Sequence, residues 1–156
     1  MAVVILIISG ALFFFYLQTT CERILRREFG QEFFLPVVNA NRLEFPFVRK
    51  ALEELDVPVD YGRFGMQLCC DFFALTCLLK NVCNARRRLS NAERLLWIYF
   101  HAVFVVLIIA HSLRFNKRTL TLKLTAIVEY FANVLGERLN TIRFGDMTAS
   151  DYLIGL

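Results

Sequence analysis

MAVVILIISGALFFFYLQTTC, residues 1–21, decides how this chain is read: it contains no charged side chain, and Glu22 is the first. As a helix rising about 1.5 Å per residue, such a stretch reaches roughly 30 Å, the thickness of a bilayer's hydrocarbon core. The stretch predicts a membrane anchor, with Val3, Ile5, Leu6, Gly10, Phe13, Phe14, Phe15 and Tyr16 inside the span. A secretory signal would need a basic start, a shorter apolar core and a small-x-small cleavage site. No Lys or Arg precedes this run, and no Ala-x-Ala follows it. Arg23, Arg26 and Arg27 come directly after it and are expected at the membrane surface. Basic residues beside a span favour the cytoplasmic side, so the N-terminus is expected outside and the bulk of the chain inside. Tyr16 falls near the inner boundary, where an amphipathic ring is at home. Ser9, Gly10 and Ala11 form a narrow notch that another helix could approach.

Working outward, the 156 residues leave room for one domain beside the anchor. Hydrophobic residues make up 57% of the chain, and removing the anchor still leaves Phe- and Leu-rich stretches too rich for one small core. Part of that remainder must then meet membrane or other proteins. The net charge of +4 is spread along the chain, with Arg86-Arg87-Arg88 as its tight cluster. There is no basic tail and no basic–aromatic groove pattern, which argues against a nucleic-acid partner. Cys21, Cys69, Cys70, Cys77 and Cys83 form no CxxC and fit no zinc spacing, so free thiols in a reducing compartment are expected. Cys21, just past the span, could carry an acyl chain, but an interface thiol is the plainer expectation.

Helical spacing of Ile24, Leu25 and Phe29 extends the anchor as a short amphipathic collar to Gly30. Residues 31–46 read as irregular or extended, broken by Pro36 and Pro46. Pro46 opens a short helix through Asp56 with Val48, Ala51, Leu52 and Leu55 on one face. Asp60 caps a longer helix to about Asn84. Ser90-Asn91-Ala92-Glu93 is a capping box that starts the next helix, to about Phe115. A last helix, to about Asn140, carries Leu120, Leu124, Ile127, Val128, Phe131, Val134, Leu135 and Leu139 within an arc of about 140° at 100° per residue. Lys123, Glu129, Asn133 and Glu137 lie opposite and predict one wet face. The expected fold is therefore all-α: an N-terminal transmembrane helix with its juxtamembrane extension (1–30), then a small cytoplasmic bundle of about four helices (31–140), then a C-terminal tail (141–156) that packs on a partner or frays.

Leu95 to Leu113 is a second uncharged run, 19 residues long. By length it could span. Basic residues flank it on both sides, and Glu93, Arg94, His101, His111 and Ser112 fall within about 100° of its surface, so a central helix of the bundle is the preferred expectation over a second span. His101 and His111 are the candidate cofactor ligands, for haem iron or a chlorophyll magnesium. About 15 Å apart along one helix, they cannot share a metal, and a hydrogen-bonded histidine in the bundle explains each equally well. No covalent haem motif exists, and no cofactor is expected. Glu53, Glu54, Asp56 and Asp60 read as a solvated acidic patch. Gly62-Arg63-Phe64-Gly65 lacks the Lys and strand–helix setting of a phosphate loop, and no Gly-x-Ser-x-Gly is present.

With no catalytic residue or metal set and no recognisable substrate site, the expected function is a non-catalytic accessory subunit of a larger membrane complex. Its partners would be the lipid bilayer and other subunits. A haem- or chlorophyll-binding subunit using His101 or His111, and a self-associating membrane scaffold, are the alternatives.

Overall fold

Two of the long helices begin where the sequence supplies a side-chain acceptor for their free amides. A computed structural model describes residues 1–27, 29, 33–54, 60–82, 89–112 and 117–154, with side chains described for all of these except 2, 82, 111, 112 and 142–154. Among the described residues all secondary structure is helical: α1 (Ala2–Leu25), α2 (Phe34–Asn41), α3 (Phe45–Glu53), α4 (Tyr61–Val82), α5 (Asn91–Ser112) and α6 (Lys117–Ile154). Asp60 Oδ1 accepts the amides of Gly62 at 3.0 Å and Arg63 at 3.2 Å, starting α4 as the sequence predicts. The capping box also forms: Glu93 Oε2 accepts the Ser90 amide at 3.0 Å, and Ser90 Oγ accepts the Glu93 amide at 3.3 Å.

Three expectations are corrected. Residues 34–41, read as irregular, form α2. Pro36 sits in its first turn, where the missing N–H would have no helical partner anyway, so it does not break the helix. Arg42, at φ 52°, then turns the chain out in the left-handed conformation. The second correction is the count: five helices follow α1 where about four were expected. The third is the end of α6, which runs to Ile154 instead of stopping near Asn140. Nothing between these points breaks a helix, since Gly145 alone lowers helix stability by only about 1 kcal/mol. Predicted ends that fall in residues 55–59, 83–88 and 113–116, and the side chains of Val82 and Cys83, lie outside the described residues.

The centre of the domain is α6, and this overturns the expected placement of the helices. Its predicted stripe is buried, with Leu124, Ile127, Val128 and Phe131 fully inside. Leu139, at the end of that stripe, is instead exposed. Burial continues round the other side, so that every residue from Tyr130 to Gly136 is buried. The face predicted to be wet is covered by the N-terminal segments. Lys123 Nζ donates to Glu22 at 3.1 Å, Glu129 pairs with Arg49, Asn133 Oδ1 accepts the Phe33 amide at 3.0 Å, and Glu137 lies 3.6 Å from Arg27. A Cβ on Gly136 would stand 2.8 Å from Phe33 Cβ and 3.0 Å from its carbonyl carbon, so only glycine admits that backbone.

Aromatic rings join the long helices. Phe72 of α4 stacks on Phe100 of α5 at 3.8 Å and meets Phe131 of α6 edge-on at 5.1 Å. Near Gly65, α4 faces Phe104 and Leu107, so α4 and α5 run antiparallel. Arg138 of α6 pairs with Glu93 of α5, which together with the Phe100–Phe72–Phe131 cluster makes those two helices antiparallel as well. At the other end of the chain, Leu17 and Cys21 are the first buried residues of α1, and the Cys21 thiol points at the Leu95 carbonyl at 3.9 Å.

Candidate membrane and docking surfaces

The anchor residues form one surface. Val3, Ile5, Leu6, Phe13, Phe15 and Tyr16 are each about two-thirds or more exposed, and nothing stands within 4 Å of a Cβ built on Gly10. Phe14 is half-buried. An apolar rod that leaves the domain bare on all sides before Leu17 has the shape of a membrane anchor. Arg23 and Arg26 are exposed just beyond it; Arg27 lies over the Phe29 ring at 5.3 Å besides reaching Glu137. Among the described residues three helices are long and apolar enough to cross a membrane: Val3–Leu25, Tyr61–Asn81 and Asn91–Ala110.

A second apolar surface runs along α5, which the sequence placed at the centre of the bundle. Trp97, Ile98, Val105, Ile108 and Ile109 are 43–57% exposed. With Arg94 and His101, also exposed, they fall within about 120° of the helix surface. The polar strip expected on this helix is thereby divided: Glu93 is buried against Arg138, whereas Arg94 and His101 point outward. His101 Nδ1 lies 2.8 Å from the Trp97 carbonyl, and its ring packs on Trp97 at 4.2 Å with Phe72 and Phe100 at its edge. One ring nitrogen is thus occupied by the helix itself, leaving at most Nε2 for a ligand. His111 lies in the last turn of α5, and its side chain lies outside the described residues.

On α4, Met66 and Phe73 project outward with Cys70 between them. A groove of about 410 Å³ separates this helix from the end of α5, with Tyr61, Met66, Phe104, Leu107 and Ile108 as its walls and Lys117 at its mouth. A second cleft, about 390 Å³, lies between the end of α1, α3 and α6 and is polar. Its charges are matched internally: Glu129 beside Arg49 raises the guanidinium's pKa, and Glu53 holds the same group at 3.2 Å. Among the described residues no group of three His, Cys, Asp or Glu side chains could hold a metal.

Asp71 is the functional carboxylate that pattern reading missed. It is buried near the middle of α4, and its Oδ2 accepts the amides of Glu44 and Phe45, both at 2.8 Å. It therefore caps α3 from a neighbouring helix. The available signal was a lone charged side chain among the 16 residues between Arg63 and Lys80, a placement that requires a partner. Through this bond the start of α3 sits level with the midpoint of α4, and the exposed side chains of α3 are Phe47, Arg49, Lys50 and Glu53, with exposed Glu54 just after its end. No protein-family model, curated protein or solved structure matches this chain.

Proposed function

We propose that the chain is a membrane-anchored, non-catalytic accessory subunit, tied to the bilayer by α1 alone and carrying a helical domain that docks onto other subunits of a membrane complex. The observation behind this reading is the apolar surface left after the core is complete. Phe72, Phe100 and Phe131 are satisfied within the domain, yet Phe73 and Met66 are 69% and 63% exposed. Patches of that kind rimmed by polar residues are where proteins meet partners. The open notch at Gly10 gives a partner helix a close approach inside the bilayer.

Confinement of the span to α1 is supported by Asp71. A bilayer-crossing α4 would carry the start of α3 to mid-membrane depth and draw the exposed Arg49 and Lys50 toward it, where each Lys or Arg costs about 3 kcal/mol. The antiparallel α5 has its midpoint at the same level, opposite Phe72, and is subject to the same argument. The arginines after α1 favour the cytoplasmic side for the domain.

The test is purification of the tagged full-length chain from its native membranes at native expression level in mild detergent, with the intact assembly weighed by mass spectrometry. A fixed stoichiometry of foreign subunits that is lost on Phe73→Glu, with the variant's helix content and melting unchanged, supports the reading. A homogeneous self-oligomer contradicts it and favours the scaffold alternative.

A further inference from the structure

The outer face of α5 has no occupant within the domain, and its position relative to α1 identifies one. The anchor stops being bare at Leu17 and is fully enclosed at Cys21, so the domain begins where α1 leaves the bilayer. At that point α1 touches α5: the Cys21 thiol meets the Leu95 carbonyl. Trp97 and Ile98 follow within about 5 Å along the α5 axis, and the bare stripe continues to Ile109, about 20 Å from the contact. The stripe thus starts beside the α1 contact and runs on along α5.

Its composition suits the boundary between headgroups and acyl chains. Trp97, the only tryptophan of the chain, stands at the end nearest the anchor, and aromatic amphipathic rings concentrate at that depth. Exposed Arg94 and Arg23 lie beside the same end, and Lys117 stands at the mouth of the groove containing Ile108, by the other end. Cations at both ends of an apolar stripe match anionic phosphates on either side of a helix lying flat. His101, in the middle of the stripe, is tolerated at interfacial depth and disfavoured in hydrocarbon. We infer that the outer face of α5 is a second lipid-contacting surface, lying in the interfacial layer of the bilayer that α1 enters, so that the domain rests on the membrane along α5. α4, with Met66 and Phe73, then remains for partners.

The sole tryptophan gives the test directly. The full chain is reconstituted in phosphatidylcholine vesicles containing phosphatidylglycerol, and Trp97 emission is read with lipids brominated near the headgroup, lipids brominated near the acyl-chain ends, and aqueous acrylamide. The inference predicts blue-shifted emission that loses roughly half or more of its intensity to the headgroup-proximal bromines, less to the deep ones, and little to acrylamide, as for a helix seated about 5–10 Å into the boundary. Trp97→Phe combined with Ile108→Trp moves the probe along the stripe and should give the same shallow result. In a spanning α5 both positions would lie within about 10 Å of the helix midpoint, and the deep bromines would quench more at both. That outcome overturns the inference, as does quenching by acrylamide alone or protection from all three quenchers. Vesicle flotation separates the two levels of the argument: loss of flotation would refute the anchor, whereas water-accessible Trp97 in floating vesicles refutes only the α5 contact.

Discussion

Asp71 closes two backbone amides of one helix from the middle of another. Asp71→Ala should lower unfolding stability by about 2 kcal/mol through loss of the cap and desolvated amides left unpaired. Both bonds go to one carboxylate oxygen, so Asp71→Asn, whose amide oxygen can take that place, should retain most of the stability. Denaturant unfolding followed by circular dichroism in detergent checks both. Gly136 supplies a second test at this scale. Gly136→Ala gains helix propensity of about 1 kcal/mol but drives a methyl into the Phe33 backbone, and the net should be a loss of about 1–2 kcal/mol. Gly10→Ala meets nothing and should leave the melting of the domain unchanged, while weakening any complex built on that notch. The thermal midpoints of the two variants should therefore move differently.

At the scale of the helices, what could be read from the sequence was whatever local chemistry determines. Asp60, the Ser90–Glu93 box and the α6 stripe each follow from residues within a few turns of one another, and each is found where the spacing puts it. The interchanged roles of α5 and α6 could not be read that way. Lys123, Glu129, Asn133 and Glu137 look like a solvated face until their partners, up to 110 positions away, arrive to cover them. Conversely, α5 is apolar on all sides, so its periodicity does not say which side packs inward. α2 was hidden because Pro36 breaks a helix anywhere but in the first turn. The α5 start gives a graded prediction. Ser90→Ala should cost about 1 kcal/mol as a lost cap. Glu93→Ala removes the reciprocal cap and the buried partner of Arg138 together, and should cost about 3 kcal/mol. Thermal unfolding of the two single variants checks the ranking, and equal losses would contradict the role given to Arg138. Glutamate at Phe131 or Leu135, both sealed in the centre of α6, should prevent folding, read as loss of cooperative melting.

For the whole molecule, the proposal turns on depth: α1 would lie in the bilayer up to Leu17, and the domain built on α6 outside it. The apolar N-terminal helix was legible because residues 1–21 carry no charge and no breaker but Gly10. The placement of α4 and α5 was not, since hydropathy alone makes both of them long enough to cross. It is the Asp71–α3 contact, a tertiary feature, that ties their midpoints to a charged surface. The most direct measurement is a two-position depth comparison by spin labelling in reconstituted vesicles. A nitroxide is attached at Ile8→Cys or at Glu53→Cys, in a background with the five native cysteines replaced. The account predicts relaxation dominated by oxygen at position 8, deep in lipid, and by a water-soluble nickel chelate at position 53. Oxygen-dominated relaxation at both positions would put α3 inside the membrane and contradict the single-anchor architecture.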